Sequence, residues 1–234
     1  MNNVNFLNND TKNFNHLIGE TFADLSARTS DTGRFYTTPD GKIFPSVTTV
    51  TGWEKRQFFA EWRKKNADES KRILKRGNAL HETIEHYLNN RENFLEDVSA
   101  DVEMLFNQMK PMLHKIENIH AQEVPLYSET LMLAGRVDCV ADYNGVLSII
   151  DFKSSKREKR ESDIESYFAQ ATAYAIMWQG LTGTPINQIV ILVSASDGTT
   201  QEFVAKPVQY VPALKRMIDL YWKDCNPFKD CNNQ

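Results

Sequence analysis

No other pair of residues constrains this chain as tightly as Asn144-Gly145. Asn-Gly suits a two-residue type I′ hairpin turn, in which both central positions need positive φ. It stands between two runs that read as strands, Leu131–Tyr143 and Val146–Phe152. With that turn, Tyr143 faces Val146, and counting back along both strands sets Asp138 opposite Asp151 and Arg136 opposite Lys153. Positions two apart on a strand point the same way, so Asp138, Asp151 and Lys153 share one face. The other face carries Leu133, Gly135, Val137, Cys139 and Ala141 on the first strand. On the second it carries Val146, Ser148, Ile150 and Phe152.

Two directly opposed carboxylates have Cβ atoms about 5 Å apart and destabilise a hairpin. At an effective dielectric near 20 the repulsion is on the order of 3 kcal/mol. A divalent cation between the two acids relieves it, and so does protonation of one of them. A solvent-facing charged hairpin without a ligand is the plain alternative, and a one-residue bulge would undo the pairing. Oxygen donors suit Mg²⁺ or Mn²⁺. Lys153 beside such a cation would orient water or stabilise charge on a phosphate.

Around this hairpin the periodicity predicts an α/β (α+β-like) chain with a central mixed sheet of about five strands flanked by helices. Met1–Asn15, with seven Asn, reads as a flexible arm, and residues 16–234 as a single domain. Within that domain, residues 16–118 are expected to be mainly helical with a small hairpin at Gly33–Phe44. Residues 119–234 supply the sheet core and a C-terminal helix. Helices are expected at Trp53–Asn66, Asp68–Asn89, Val98–Asn118, Ser162–Leu181 and Val208–Trp222, with Ser46 or Thr48 capping an earlier helical turn. Further strands are expected at His120–Tyr127, Gln188–Ser194 and Glu202–Val204.

His81 lies on the Asp68–Asn89 helix beside its apolar stripe. It is either a boundary residue or a third metal ligand, with Gly77 letting the helix approach the hairpin. Glu85, one turn on, is an i,i+4 partner or an outer carboxylate. Gln170 and Tyr174 stand one turn apart on the later helix, where Tyr174 also fits the core. Trp53, Phe58, Phe59 and Trp62 offer stacking surfaces for single-stranded bases, although their helical spacing puts at least two of them in the core.

The 27 Lys and Arg against 31 Asp and Glu give a net charge of −4, which argues against a generic DNA-coating protein. The charge is unevenly spread. Between Trp53 and Arg76 nine Lys/Arg oppose four acids, and Lys156, Arg157, Lys159 and Arg160 form a second cluster. Each cluster alone reads as a solvated helix face or loop, but two flanking one carboxylate centre are harder to dismiss. Three cysteines (Cys139, Cys225, Cys231) make no disulfide framework, which points to a reducing, cytoplasmic setting. No secretory signal opens the chain, and no apolar run approaches the roughly 18 residues that suggest a membrane span.

Taken in order, Gly77-Asn-Ala-Leu-His81, Glu123, Gly135-Arg-Val-Asp138, Asp151-Phe-Lys153 and Gln170-Ala-Thr-Ala-Tyr174 resemble the PD-(D/E)xK nuclease superfamily. The likeness is to its RecB-like branch, with GxxxH, GxxD, DxK and QxxxY motifs. Upstream, Pro45-Ser-Val-Thr-Thr49 resembles the mitochondrial genome maintenance and phage-encoded exonuclease group. The resemblance implies a restriction-endonuclease-like core and metal-assisted hydrolysis of DNA by an exonuclease, on single strands or ends, in replication, recombination or repair. It implies Asp138 and Asp151 as metal ligands, joined by His81 and the Phe152 carbonyl, with Mg²⁺ or Mn²⁺ as cofactor. Lys153 would position the attacking water. Gln170, Tyr174, Arg136, Lys156 and Arg157 would meet the nucleic acid, and Glu123 and Glu85 would stand at the edge of the site. A four-cysteine nuclease subgroup is set aside, because three cysteines fall short of its cluster. The same chemistry in a structure-specific endonuclease, or a non-catalytic nucleic-acid-binding module, are the alternatives. The setting expected is a bacterial or phage-infected cell.

Overall fold

The computed structural model describes residues 12–17 and 21–225. Five strands form a mixed sheet in the order β4 (Ile116–Ser128), β5 (Leu133–Tyr143), β6 (Val146–Ser155), β7 (Gln188–Ala195) and β8 (Thr200–Ala205). Only the β6–β7 pair is parallel, as expected where a helix makes the connection. That helix is α5 (Glu165–Thr182). It is buried almost all round because it lies between the sheet and α6 (Pro207–Asp224), and Ala169, Ala171, Ala173 and Ala175 keep the layers close. Gly183 ends it in the left-handed region, its N–H donating to the Gln179 carbonyl at 2.9 Å.

The sheet's other face is covered by α3 (Ala67–Leu88) and α4 (Ala100–Leu113). Leu80, Ile84, Leu105 and Met109 pack there against Cys139, Ala141, Ile150 and Phe152. A smaller antiparallel sheet of β1 (Ser26–Ser30), β2 (Gly33–Thr37) and β3 (Ile43–Pro45) docks on β5, with Leu25, Tyr36 and Phe44 packed on Ala134. From it the chain enters α1 (Val47–Thr51), whose N-cap is Ser46, its hydroxyl accepting from the Thr49 N–H at 3.0 Å. A 3-10 turn at Trp53–Lys55 then leads into α2 (Arg56–Lys65).

The hairpin register is the expected one, from Tyr143↔Val146 to Cys139↔Ile150, with φ of +51° at Asn144 and +77° at Gly145. Beyond Cys139↔Ile150 the ladder stops. The Asp138 carboxylate, not a backbone carbonyl, accepts the Phe152 N–H at 3.0 Å, so Arg136 and Lys153 are not paired.

The inner face of β5 also changes sides at Asp138. Leu133 and Val137 pack with the α5 core, whereas Cys139 and Ala141 pack with the α3/α4 core. Across from this point Glu123 has φ +48°, and Ala121 and Leu126 fall on the same side of β4 despite their odd spacing. A left-handed residue rotates the strand that follows it, and here it turns Glu123 and Asp138 toward a cleft.

Several expected boundaries move. The helix expected to reach Asn118 ends at Leu113, and β4 starts at Ile116. The expected Gly33–Phe44 hairpin has a third strand, β1, whose residues are all exposed. Residues 1–11 of the expected arm, like Cys231, lie outside the described residues. Residues 12–15 are anchored: Phe14 is buried on Tyr87, and Asn15 accepts from the Ile119 N–H. Of the four aromatic residues on the basic segment, only Trp53 is buried. Trp62 is half-buried, and Phe58 and Phe59 are exposed.

Candidate active site

Five elements converge on one cleft of about 580 Å³. β5 presents Asp138 and Arg136, β4 presents Glu123, β6 presents Lys153, α3 presents His81 and Glu85, and α5 presents Gln170 and Tyr174. Arg34, Tyr36, Ser46 and Thr48 close the rim from the small sheet and α1.

His81, Glu123 and Asp138 each present a ligand atom within 4.8 Å of the others. His81 Nδ1 lies 3.5 Å from Asp138 Oδ2. Glu123 is no edge residue: it falls between the pairs Gln122↔Cys139 and Val124↔Val137, which sets it across the ladder from Asp138. Burial, with Asp138 and Glu85 close by, pushes its carboxyl up to about 8. Acids crowded this way hold a proton or a cation, and two carboxylates with one imidazole suit a divalent ion.

Asp151 is 2% exposed and is not part of the cleft lining. Its Oδ1 accepts from Lys153 Nζ at 2.7 Å and from Gln170 Nε2 at 3.2 Å. Its Oδ2 lies 2.6 Å from the Lys153 ammonium yet receives no hydrogen bond, which leaves a buried oxygen with a lone pair to give. That oxygen has the Lys153 ammonium beside it, and the triad of His81, Glu123 and Asp138 is what suits a divalent ion. Asp151 itself is not among the converging ligand atoms. Burial pushes its carboxyl up, Lys153 opposes this, and Asp138 adds to it. Burial works against the charge of Lys153, but Asp151 and Asp138 more than offset it and hold the ammonium above its ordinary range. Lys153 is therefore a fixed cation that donates.

Gln170, expected to meet nucleic acid, lines the cleft and donates to Asp151. Tyr174 is 2% exposed and packs against Gly135, which links the GxxD glycine to the QxxxY tyrosine. A Cβ at Gly135 would lie 2.7 Å from the tyrosine hydroxyl and 2.9 Å from Cε1. Gly135→Ala is accordingly expected to cost about 1–3 kcal/mol of stability. Adding Tyr174→Ala should recover part of that loss, and strictly additive losses in thermal melting would show that no contact exists. Gly77, by contrast, is not needed for close approach, since a Cβ there would meet only Ser154 Oγ at 3.8 Å.

Arg136 donates to the Glu123 carbonyl and to Asp24 Oδ1 (3.2 Å), and its remaining surface lines the cleft. Lys156 reaches Glu69 on α3 at 3.5 Å, while Arg157 is exposed outside the cleft lining. Phe152 is buried, and its N–H is what Asp138 binds. Arg34 escaped sequence reasoning because nothing in the spacing of β2 ties it to the hairpin, whereas Thr48 lies in the Pro45-Ser-Val-Thr-Thr49 stretch already singled out.

Among known proteins, the mitochondrial genome maintenance exonuclease 1 of Mus musculus is 27% identical over 128 residues, covering 49% of this chain and 38% of that protein. That of Homo sapiens is 28% identical over 131 residues, covering 50% and 38%. The aligned stretch thus spans well under half the length of these relatives. A crystal structure from Eubacterium rectale superposes with a TM-score of 0.47 at 13% identity over 65% of each chain, a likeness too distant to bear on function. Residues 55–228, which carry every motif from Gly77 to Tyr174, match the PD-(D/E)XK nuclease superfamily, and the chain belongs to that family.

Proposed function

We propose that this chain is a Mg²⁺- or Mn²⁺-dependent DNA exonuclease that hydrolyses phosphodiester bonds of single strands or strand ends in DNA replication, recombination or repair. The observation that carries this reading is the buried Asp151–Lys153–Gln170 arrangement beside the converging His81, Glu123 and Asp138. When bound, a divalent cation supplies Lewis-acid stabilisation of the charge that builds on a phosphate. His81, Glu123 and Asp138 would hold it.

The chain's own groups do the rest. Gln170 and Lys153 fix the Asp151 carboxylate, so that it needs no reorganisation when charge develops. The Lys153 ammonium, held protonated, donates toward the scissile phosphate and orients the attacking water. Arg136, pinned through Glu123 and Asp24, sets positive charge on the cleft wall. Lys156 and Arg157 lie beyond the cleft as backbone contacts, whose contribution falls with salt.

The test is digestion of end-labelled linear single strands, duplexes and covalently closed single-stranded circles. With Mg²⁺ or Mn²⁺ the linear strands should be consumed and the circles survive, and EDTA should stop all cleavage. Cleavage of circles would make the protein an endonuclease with the same chemistry. Undiminished cleavage in EDTA would overturn the metal dependence. Binding without turnover in either metal would leave a non-catalytic module.

A further inference from the structure

Phe58 and Phe59 are 67% and 44% exposed on α2, a helix none of whose residues is buried. Their rings meet edge to face, with centroids 5.4 Å apart. Adjacent exposed phenylalanines on so basic a helix are not explained by the core. Their position is informative. A cavity of about 480 Å³ shares Thr48, Lys153 and Gln170 with the catalytic cleft and is lined further out by Lys55, Phe59 and Lys159. A third, of about 640 Å³, shares Thr48, Gly52 and Phe59 with the second and reaches Arg63 between α2 and the β1–β2 turn. The three volumes share walls, so they lie side by side along a track that runs from Lys153 past Thr48 to the ring of Phe59.

The groove's charge points to its occupant. Among the described residues, Lys55, Lys159 and Arg63 make no ion pair. Arg56, one residue from Lys55, is by contrast engaged by the Trp53 ring at 3.6 Å and by Asp224 at 3.3 Å. Two acids also line the groove: Asp163, which accepts the Arg160 N–H at 3.3 Å, and Asp31 in the outer volume. Unpaired cations along a track, with an exposed aromatic face between them, are what a single nucleic-acid strand needs, because phosphates meet the cations and an unpaired base can stack. In a duplex the base faces are covered by their neighbours.

We propose that a single nucleic-acid strand lies along this groove, with a base stacked on Phe59 and its phosphates beside Lys55 and Lys159. This rests on the nuclease reading for what happens in the cleft, but the groove can be tested without turnover. The probe is a fluorescein-labelled single-stranded oligodeoxynucleotide, titrated in Ca²⁺ and followed by anisotropy against the full chain. Phe59→Ala should raise Kd about tenfold, the effect of losing one base–aromatic stack, with the melting temperature held. Phe59→Trp should restore the wild-type Kd, which a merely structural role would not predict. An unchanged Kd in Phe59→Ala, a defect that persists in Phe59→Trp, or an equal loss on a blunt duplex of the same length would overturn the proposal. Digestion of an end-labelled linear single strand by the wild type in Mn²⁺ tests the cleft separately. Its failure would sink the nuclease reading and leave the Kd comparison to decide the groove.

Discussion

Lys153→Met is expected to slow phosphodiester cleavage by about a hundred- to a thousandfold, the scale of removing one preorganised charge-stabilising donor, and Asp151→Asn by a similar factor. The two residues fail for different reasons. Methionine keeps the stem of Lys153 but deletes the ammonium that, among the described residues, pairs with Asp151. Asparagine keeps Oδ1 as the acceptor for Lys153 and Gln170, but it removes the charge that a cation and the ammonium both answer. Folding should survive in each. Burial already makes the ionised Asp151 a cost to the folded state, but each variant leaves one charge of a buried pair without its partner, so the melting temperature should fall while the fold is kept. In Lys153→Met the carboxyl loses its counter-charge and is pushed up further. Its folded form then keeps a proton that the unfolded form releases, and stability falls as pH rises through that window. Cleavage of a labelled single strand, with circular dichroism as the control, checks this. Either variant within tenfold of wild type would remove the Asp151–Lys153 pair from the chemistry.

The hairpin was legible because one dipeptide set its register and a period of two carried that register outward. Legibility ended where backbone stopped pairing with backbone. Past Cys139 the Asp138 side chain takes the Phe152 N–H, so counting residues still brings Asp138 and Asp151 to one site but misjudges which oxygens meet. Glu123 read as an edge residue because register shifts on either side of Ile119 break the alternation of β4, and a positive φ at Glu123 itself cannot be read from an acidic residue. The same irregularity explains the misplaced helix end. Ile116 and Ile119 are three apart and both buried, which suits a helix as well as a bulged strand. β1, with Ser-Ala-Arg-Thr-Ser, carries no apolar alternation at all and is a strand only because β2 offers it an edge. Phe58 and Phe59 follow the converse logic. Helical spacing of aromatics signals burial only when a partner surface covers them, and no residue of α2 is buried.

Adding Mn²⁺ to metal-free protein at pH 7.5 should raise the melting temperature by about 5–10 °C at a hundredfold excess over Kd, since such an excess is worth about 2.7 kcal/mol. In Glu123→Gln most of that rise should vanish, because one of three converging ligand atoms has lost its charge. The metal-free protein provides the complementary reading. The Glu123 carboxyl titrates at 4.5 when unperturbed and at about 8 in the fold. Between those values the folded chain holds a proton that the unfolded chain does not, so stability is greatest below 4.5 as far as this group is concerned and declines as pH rises through about 8. Asp151 bends stability the same way but over a lower window, up to about 6. Of these two carboxyls, Glu123 alone contributes between about 6 and about 8. Wild type without metal should lose melting temperature across that range more steeply than Glu123→Gln, and Mn²⁺ should lessen the slope of the wild type by displacing the proton. A slope shared by both proteins, or an equal Mn²⁺ shift in both, would mean that the cation sits elsewhere and that the crowded acids of the cleft are relieved by protons alone.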